Sequence, residues 1–420
     1  MTCRSCRSYR PDRSRPPYLS GIVVLVLALG LISCAADAPR GNLATERDSA
    51  GIRIVENADP RPGSVPEWSV DDEPLLQIGV LDGDPAEQFF RVAGALRLSD
   101  GRVVVANSGS GELRIFDPEG RHLATGGGQG EGPGEFRNLS RLYRLPGDTI
   151  LVWDIGLRRI SYFDAEARFI HSVPLVGTDG GSMNLVDILP DGSVLASASS
   201  GAWSGSIPTE GLIGDSVLHV RFDPRSAEVD TVGWLPATQS MVRTTSSGGQ
   251  VTSIEVMRLP FLRTAYIGAA GEHVFAAVND RYEIALRDSA GRLTRIIRRD
   301  VRPEPFSEEY VREQFLSQRS RENVDPAELR DLYPGVPRPT HLPVLRGVRA
   351  DPTGHFWVER FRWPNDDQPV WDVFDPEGRL VAVVRTPPGL RIDEIGEDYL
   401  MGVWRDELDV EQVRTYRLRR

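Results

Sequence analysis

The sequence predicts an all-β fold built from a repeated unit of several short strands. The chain has 420 residues, of which 40% are hydrophobic and 26% charged, as in an ordinary globular protein. Its 31 prolines and 41 glycines are spread among short apolar runs along the whole chain. This distribution favours many turns and short strands over long helices, because proline and glycine end regular elements.

A hexapeptide that occurs twice is the first sign of repetition. Residues 116–121 read Phe-Asp-Pro-Glu-Gly-Arg, and residues 374–379 repeat these letters without change. Weaker copies lie at 163–168, 222–225 and 286–292. In each copy a strand ends on a large apolar residue, a turn rich in Asp, Pro or Gly follows, and an apolar strand returns.

A second recurring unit joins two apolar strands through an Asp/Gly turn. Its copies are residues 98–105, 145–152, 189–195 and 350–357. The second strand is nearly continuously apolar, which is typical of a strand buried on both faces. Asn107 and Phe116 precede Asp154 and Phe163 by the same number of residues. The period lies in the range of roughly 40 to 50 residues that a propeller blade needs.

A glycine-rich segment adds a family resemblance. Gly126–Phe136, with the sequence GGGQGEGPGEF, precedes Val152-Trp153-Asp154, Arg159-Ile160 and Phe163. With these motifs the chain resembles the NHL-repeat family and the bacterial six-bladed β-propeller lipoproteins of that type. The resemblance covers roughly residues 65–420 and is strongest in the first two repeats. It implies a six-bladed β-propeller over residues 63–420.

The blades are expected at residues 91–136, 137–180, 181–236, 258–302, 340–390 and 391–420. The last of these is short by one strand, and an unclosed ring would leave strand edges unpaired. We therefore expect strands near Trp68 and at residues 75–78 to complete the ring.

Two insertions interrupt the repeats. Residues 237–257 are rich in Ser, Thr and Gly and predict a mobile loop. Residues 303–337 predict a small helical insertion of two helices, the first capped by Ser307 and the second starting at Asp325-Pro326. At one mouth of the central channel these helices would serve either as a lid or as plain packing.

The N-terminus predicts export. Residues 1–33 combine an arginine-rich start with the apolar run Ile22–Ile32, which is the layout of a signal peptide. Leu31-Ile32-Ser33-Cys34 resembles a bacterial lipobox, which implies that Cys34 carries the lipid that anchors the protein to a membrane. An uncleaved anchor and a plain secreted protein are the alternatives. Residues 34–62, with Ile52–Val55 as their one strand candidate, predict a flexible tether.

The expected location is the cell envelope. Ala35 follows Cys34 where retention signals of the inner membrane place Asp, which favours the outer membrane, with the propeller facing the periplasm or the exterior. Cys3 and Cys6 lie in the predicted signal peptide and have no second pair to complete a zinc site. After processing, Cys34 is the sole cysteine, so the exported domain would fold without a disulfide.

Composition excludes several classes of function. The formal net charge is −11, and an acidic surface repels phosphate backbones, so we expect no nucleic-acid partner. The sequence holds no lysine, which excludes Schiff-base chemistry and the P-loop lysine. Neither the nucleophile elbow of serine hydrolases nor the His-Glu-x-x-His motif of zinc proteases occurs.

A candidate metal site follows from propeller topology. The ends of inner strands converge on the central channel, and the polar residues placed there are Asn107, Asp154, Asn279, Asp280, Glu359 and Arg360. Propeller lactonases of the gluconolactonase type, which the chain resembles in blade count, hold a divalent cation there. By this resemblance Asp154, Asn279, Glu359 and Asn107 would bind Ca²⁺ through oxygen atoms. The alternative is that Asp154 and Asn107 hydrogen-bond backbone N–H groups and stabilise the repeat.

A candidate recognition surface consists of aromatic residues in or beside loops. Trp and Arg dominate binding hot spots, and the candidates are Trp203, Trp363, Trp371, Trp404 and Arg360. The alternative is that these tryptophans pack between blades.

Two functions remain open from the sequence. The first is a non-enzymatic binding or scaffolding module for a protein, peptide or glycan. The second is a metal-dependent hydrolase or lyase with its site in the channel. The first is favoured because the sequence offers no identifiable catalytic group.

Overall fold

The computed structural model describes residues 44–177, 180–198, 210–247, 250–259, 261–310, 312–313, 338–364, 366 and 368–420. The described residues are almost entirely β-strands, with a 3₁₀ turn at Pro85–Glu87, which confirms the predicted all-β class. The predicted signal peptide at 1–33, Cys34 and Trp203 lie outside the described residues. Among the described helical residues, none belongs to a helix long and apolar enough to span a bilayer.

Four strands precede the first repeat. They are β1 (Ala44–Ser49), β2 (Ile52–Asn57), β3 (Glu67–Val70) and β4 (Leu76–Ile78). β1 and β2 form an antiparallel hairpin, and β2 pairs in parallel with residues 295–299 far along the chain. The prediction of a flexible tether over residues 34–62 is therefore wrong for residues 44–57. Ile54 and Val55 are buried, and this burial of apolar surface favours the ordered hairpin.

Asn57 fastens this hairpin to two distant segments. Its side-chain Nδ2 donates to the carbonyl oxygens of Gly378 at 2.9 Å and Arg298 at 3.0 Å. Its Oδ1 accepts a hydrogen bond from the backbone N–H of Leu380 at 2.9 Å. The hairpin is thus part of the propeller wall.

The first two units match the predicted repeats. Unit one consists of β5 (Val92–Arg97), β6 (Val103–Asn107), β7 (Glu112–Phe116) and β8 (His122–Gly127). Unit two consists of β9 (Leu139–Leu145), β10 (Thr149–Asp154), β11 (Arg159–Phe163) and β12 (Phe169–Pro174). Each unit is a four-stranded antiparallel sheet in chain order. Every residue of β6 is buried, as its continuous apolar sequence predicts.

The third unit is followed by a separate small sheet. The unit consists of β13 (Met183–Ile188), β14 (Val194–Ala198), β16 (Ser216–Phe222) and β17 (Val229–Pro236). The small sheet consists of β15 (Gly211–Ile213), β18 (Ser240–Ser247) and β19 (Gln250–Met257). The prediction of a mobile loop over residues 237–257 is therefore wrong for residues 240–247 and 250–257. Met241 and Val242 of β18 are buried, and this apolar anchor orders the hairpin.

The remaining repeats form three further units. Unit four is β20 (Ala265–Ala270), β21 (His273–Val278), β22 (Glu283–Arg287) and β23 (Leu293–Arg299). Unit five is β24 (Leu345–Ala350), β25 (Phe356–Arg360), β26 (Val370–Phe374) and β27 (Leu380–Arg385). Unit six contains β28 (Arg391–Ile395), β29 (Tyr399–Arg405) and β30 (Glu411–Arg419).

The N-terminal strands complete unit six, as predicted. β4 pairs antiparallel with β30, where Ile78 lies opposite Val413, and so supplies the missing fourth strand. β3 pairs with both β27 and β30 and covers the gap between units five and six. Closure removes open strand edges from this junction.

Buried apolar clusters join neighbouring units around the ring. Within the described residues, each of the six adjacent pairs of units shares such a cluster. At the closure, Met401 and Val413 of unit six pack with Val105 and Phe116 of unit one. The chain is therefore a β-propeller, with its core distributed between the sheets.

The two faces of the propeller differ. Because neighbouring strands are antiparallel, connections between the first and second strands and between the third and fourth strands of a unit share one face. This turn face carries short connections such as 98–102, 117–121 and 351–355. At the opposite face, called the insertion face, the chain leaves and re-enters the sheets at the ends of the long connections 199–215, 237–264, 300–344 and 361–369.

The repeated aspartate of the hexapeptide stabilises the tight turns of the turn face. Asp117 Oδ1 accepts hydrogen bonds from the backbone N–H groups of Glu119 at 3.1 Å and Arg121 at 2.8 Å. Asp164 and Asp288 make the corresponding bonds in units two and four. The repeat is thus a turn motif whose carboxylates bind backbone N–H groups.

Most of the predicted helical insertion at 303–337 lies outside the described residues. Its described helical residues are 308–310 and 312–313. Ser307 Oγ accepts a hydrogen bond from the N–H of Tyr310 at 3.2 Å, which confirms the predicted cap.

Candidate functional site

The central channel is the main cavity candidate for a site. It has a volume of about 850 Å³, which lies within the range of ligand pockets. The first strands of all six units line it, with residues 93–95, 140–143, 186–187, 266–269, 346–350 and 391–393. Loop residues Arg362, Pro369 and Gly389 extend the cavity to the insertion face.

Asp154, a predicted metal ligand, is fully buried and satisfied by the backbone. Its carboxylate accepts hydrogen bonds from the N–H groups of Arg137 at 2.7 Å, Asn138 at 3.2 Å and Leu157 at 2.8 Å. These bonds tie the end of β10 to the link that enters unit two. The interpretation of Asp154 as a residue that stabilises the repeat therefore accounts for its contacts.

Asn107 and Asn279 occupy corresponding positions. Asn107 Oδ1 accepts from the N–H of Phe90 at 2.9 Å, and its Nδ2 donates to Ser110 Oγ at 2.8 Å. Asn279 Oδ1 accepts from the N–H of Thr264 at 2.9 Å. Each amide thus fastens the end of a second strand to the chain that enters its own unit.

Glu359 is the one member of the predicted metal set that lines the channel. Its carboxylate accepts a hydrogen bond from Arg362 Nε at 3.2 Å. Asp280, which follows Asn279 in the sequence, pairs with Arg281 at the surface. Among the described residues, the structure brings together no group of three or more His, Cys, Asp or Glu side chains suited to a metal ion. The set of Asp154, Asn279, Glu359 and Asn107 stays an untested prediction, and so does Ca²⁺.

Arg360 belongs to a buried ion-pair network between units four and five. Its Nη2 lies 2.6 Å from Asp372 Oδ1. Asp372 is fully buried and also accepts hydrogen bonds from the Tyr282 hydroxyl at 2.5 Å and from Arg299. Burial raises the pKa of Tyr282, which keeps its hydroxyl protonated as a donor. Arg360 is therefore fixed to the wall by Asp372, while 34% of its side chain remains exposed.

The three described candidate tryptophans have different surroundings. Trp371 is buried between units five and six, where its Nε1 donates to Thr386 Oγ1 at 3.2 Å. Trp404 lies under the Arg414 guanidinium, whose carbon is 3.5 Å from the ring centre. Trp363 donates to Glu304 Oε2 at 3.2 Å on the insertion face. Packing within the wall accounts for Trp371, as in the alternative interpretation.

The charged residues of the channel were missed by the sequence-based prediction. Among the described residues that line the cavity there are five arginines and three carboxyl groups, a formal excess of two positive charges. The arginines are Arg141, Arg346, Arg349, Arg362 and Arg391, and the carboxyl groups are Asp187, Glu359 and Asp393. The available signal was an arginine inside an otherwise apolar first strand, as in the Leu-Arg-Gly-Val-Arg-Ala sequence of β24.

The carboxyl groups of the channel already have partners. Asp393 Oδ1 lies 3.0 Å from Arg391 Nε, and its Oδ2 accepts from the N–H of Ala95 at 3.1 Å. Asp187 Oδ2 accepts from the N–H of Ala269 at 2.8 Å. Burial raises the pKa of both Asp187 and Asp393, because a low-polarity wall disfavours the charged form.

Three of the channel arginines have no carboxylate within salt-bridge distance among the described residues. Arg141 donates to the carbonyl oxygen of Val186 at 2.6 Å, and Arg346 donates to that of Arg362 at 3.4 Å. The Arg349 guanidinium makes no hydrogen bond or ion pair with the described residues. Enclosure by the channel wall lowers the pKa of Arg349.

Comparisons with known proteins support the fold alone. No family model and no curated protein matches the chain. Solved structures do match, and they are β-propellers. A member of the duf4221 family from Bacteroides vulgatus is 10% identical, with 84% of this chain and 99% of that chain covered and a TM-score of 0.50. An assumed exported protein from Bacteroides fragilis is 14% identical, with 87% and 100% covered and a TM-score of 0.46. A gluconolactonase from Xanthomonas campestris is 12% identical, with 84% and 98% covered and a TM-score of 0.39.

Proposed function

We propose that this protein is an extracytoplasmic binding propeller that receives a protein, peptide or glycan at the insertion face. The observation that carries the proposal is the asymmetry of the two faces together with a channel that extends to the elaborated one. The turn face consists of tight turns whose carboxylates bind the backbone. The long connections start and end on the other side, where the loop residues Arg362, Pro369 and Gly389 lie at the channel mouth. Binding residues are commonly carried by loops on a rigid scaffold.

We also propose that the six units are six NHL-like blades. The hexapeptide turns recur in successive sheets, and buried clusters join each unit to its neighbours. A rigid ring of this kind holds the insertion-face loops in fixed positions, which reduces the entropy lost when a partner binds.

The location in the cell is part of the same proposal. A lipid on Cys34 would anchor the propeller to the outer membrane, with the chain up to residue 43 as the tether. The hairpin β1–β2 is bound into the propeller wall, so the link between lipid and propeller is shorter than the sequence suggested. A short link keeps the propeller near the membrane surface.

The metal-dependent hydrolase or lyase stays an alternative prediction. Three of its four candidate ligands direct their side-chain oxygens to backbone N–H groups. This is why the binding function is the one proposed.

Site-specific photo-cross-linking in intact cells tests the proposal. A photoreactive amino acid would replace Ile155, which is 42% exposed in an insertion-face loop. The matched control would replace Glu119, which is exposed in a tight turn of the turn face. We expect a discrete adduct from position 155 and none from position 119. Equal adducts from both faces, or none from position 155 in cells that export the protein, would contradict the proposal.

A further inference from the structure

The channel has a charge opposite in sign to that of the whole chain. Its described lining carries a formal excess of two positive charges, while the chain has a net charge of −11. A cleft of one sign with low-polarity walls focuses its electrostatic field. An anionic ligand is therefore drawn into the channel, even though the chain as a whole repels anions.

Two hydrogen-bond donors in the channel have no partner among the described residues. One is the guanidinium of Arg349 on β24, and the other is the hydroxyl of Tyr266 on β20, in the neighbouring unit. Burial raises the pKa of Tyr266, so the hydroxyl stays protonated and able to donate. Arg346 leaves further donors unused, because it makes one bond at 3.4 Å. Arg349 is exposed to the water of the channel, so a carboxylate there would replace water as its partner and form a charge-assisted hydrogen bond.

The donors line the same channel. Tyr266 lies on the first strand of unit four, and Arg346 and Arg349 lie on the first strand of unit five. Glu359 is paired with Arg362, and Asp393 is paired with Arg391. The protein's own carboxylates are therefore bound elsewhere, and the guanidinium of Arg349 remains available to a ligand.

We infer that the channel binds a carboxylate group of the ligand, with Arg349 as its ion-pair partner and Tyr266 and Arg346 as additional donors. This inference rests on the proposed binding function and names the chemistry of its ligand. A planar guanidinium matches a carboxylate through two parallel N–H···O bonds. The cavity volume leaves room for the uncharged remainder of the ligand.

The test uses acetate as the simplest carboxylate probe. The purified protein is melted in increasing sodium acetate, with ionic strength held constant by sodium chloride. We expect acetate to raise the melting temperature with a saturable dependence, because it binds the folded state. Arg349→Gln should raise the half-saturating acetate concentration by about tenfold or more. Arg349→Lys should give an intermediate value, because it keeps the charge and loses the planar fork.

The matched control is Arg168→Gln. Arg168 is an exposed arginine of the turn face, loosely paired with Asp164, and its replacement should leave the acetate response unchanged. Wild-type melting that is equal in acetate and chloride overturns the inference without use of any variant. A wild-type response in Arg349→Gln also overturns it. A stronger saturable response to inorganic phosphate than to acetate overturns the carboxylate class.

Failure of this inference and failure of the proposed function can be told apart. Cross-linking from position 155 reports partner binding at the insertion face and does not depend on acetate. Persistent adducts at position 155 with no acetate response would keep the binding propeller and remove the channel as a carboxylate site.

Discussion

Replacement of Asp154 distinguishes a structural role from a metal-binding role for the residues at the strand ends. Its buried carboxylate accepts three backbone N–H bonds, at 2.7, 2.8 and 3.2 Å. Asp154→Ala leaves these donors without an acceptor, at a cost of about 1 to 2 kcal/mol each. The free energy of unfolding should therefore fall by about 3 to 6 kcal/mol.

Two further variants calibrate this value. Asn107→Ala removes one backbone acceptor, that for Phe90, and should cost about 1 to 2 kcal/mol. Asp280→Ala removes a surface carboxylate paired with Arg281 and should change stability by no more than about 0.5 kcal/mol. The three costs should therefore follow the number of backbone N–H groups that each side chain binds.

The assay is urea unfolding followed by tryptophan fluorescence, with calcium and with a chelator. If the role is structural, the destabilisation by Asp154→Ala is the same in both conditions. A free energy of unfolding for Asp154→Ala within about 1 kcal/mol of the wild-type value would refute the reasoning. Stabilisation of the wild type by calcium, with no stabilisation of Asp154→Ala, would also refute it, because Asp154 would then be a metal ligand.

Three other predictions concern closure, anchoring and pH. Ile78 is 2% exposed in the closing strand, so Ile78→Ala should lower the free energy of unfolding in urea by about 2 to 4 kcal/mol. Leu75 is 54% exposed, so Leu75→Ala should lower it by about 0.5 kcal/mol or less. Equal costs would contradict closure by β4. Cys34→Ser should move the protein from the membrane fraction to the soluble fraction and remove the lipid mass, while Cys6→Ser should leave both unchanged; membrane retention of Cys34→Ser would argue against the lipid anchor. Burial raises the pKa of Asp351, but its hydrogen-bond donors and a neighbouring arginine outweigh burial and lower the pKa. Above the unfolded-state pKa the carboxylate therefore stabilises the folded protein, and this stabilisation is lost as the pH falls through the lower folded-state pKa. The difference in free energy of unfolding between wild type and Asp351→Asn should be constant above about pH 5 and shrink below about pH 4. A difference that grows on acidification would show the opposite sign of shift.

The residues that line the channel and the residues at the strand ends have different roles. The strand-end residues Asn107, Asp154 and Asn279 hold each sheet to the segment that enters it. The charged residues that line the channel come from the first strands of different units. Variants of the first group should therefore alter stability, whereas Arg349 variants should alter ligand response.

The repeats, the all-β class and the closure were determined by the sequence, because they depend on local chemistry. The Phe-Asp-Pro-Glu-Gly-Arg turn needs an aspartate to bind N–H groups two and four residues away, and these residues are adjacent in the chain. The missing fourth strand of the last repeat, together with the cost of an open edge, was enough to predict that strands near Trp68 and at 75–78 would close the ring.

Only the tertiary structure decided the rest. The ordering of residues 44–57 depends on pairing with β23, far away in the chain, so their polar local composition misled the prediction of a tether. The strands at 240–247 and 250–257 are anchored by the burial of Met241 and Val242, which the local sequence does not show. Arg349 and Tyr266 are separated in the chain by the rest of unit four and the connection 300–344. They share a channel because the closed ring turns the first strand of every unit inward. Local propensity cannot predict such a grouping, because it arises when distant sheets pack around a common axis.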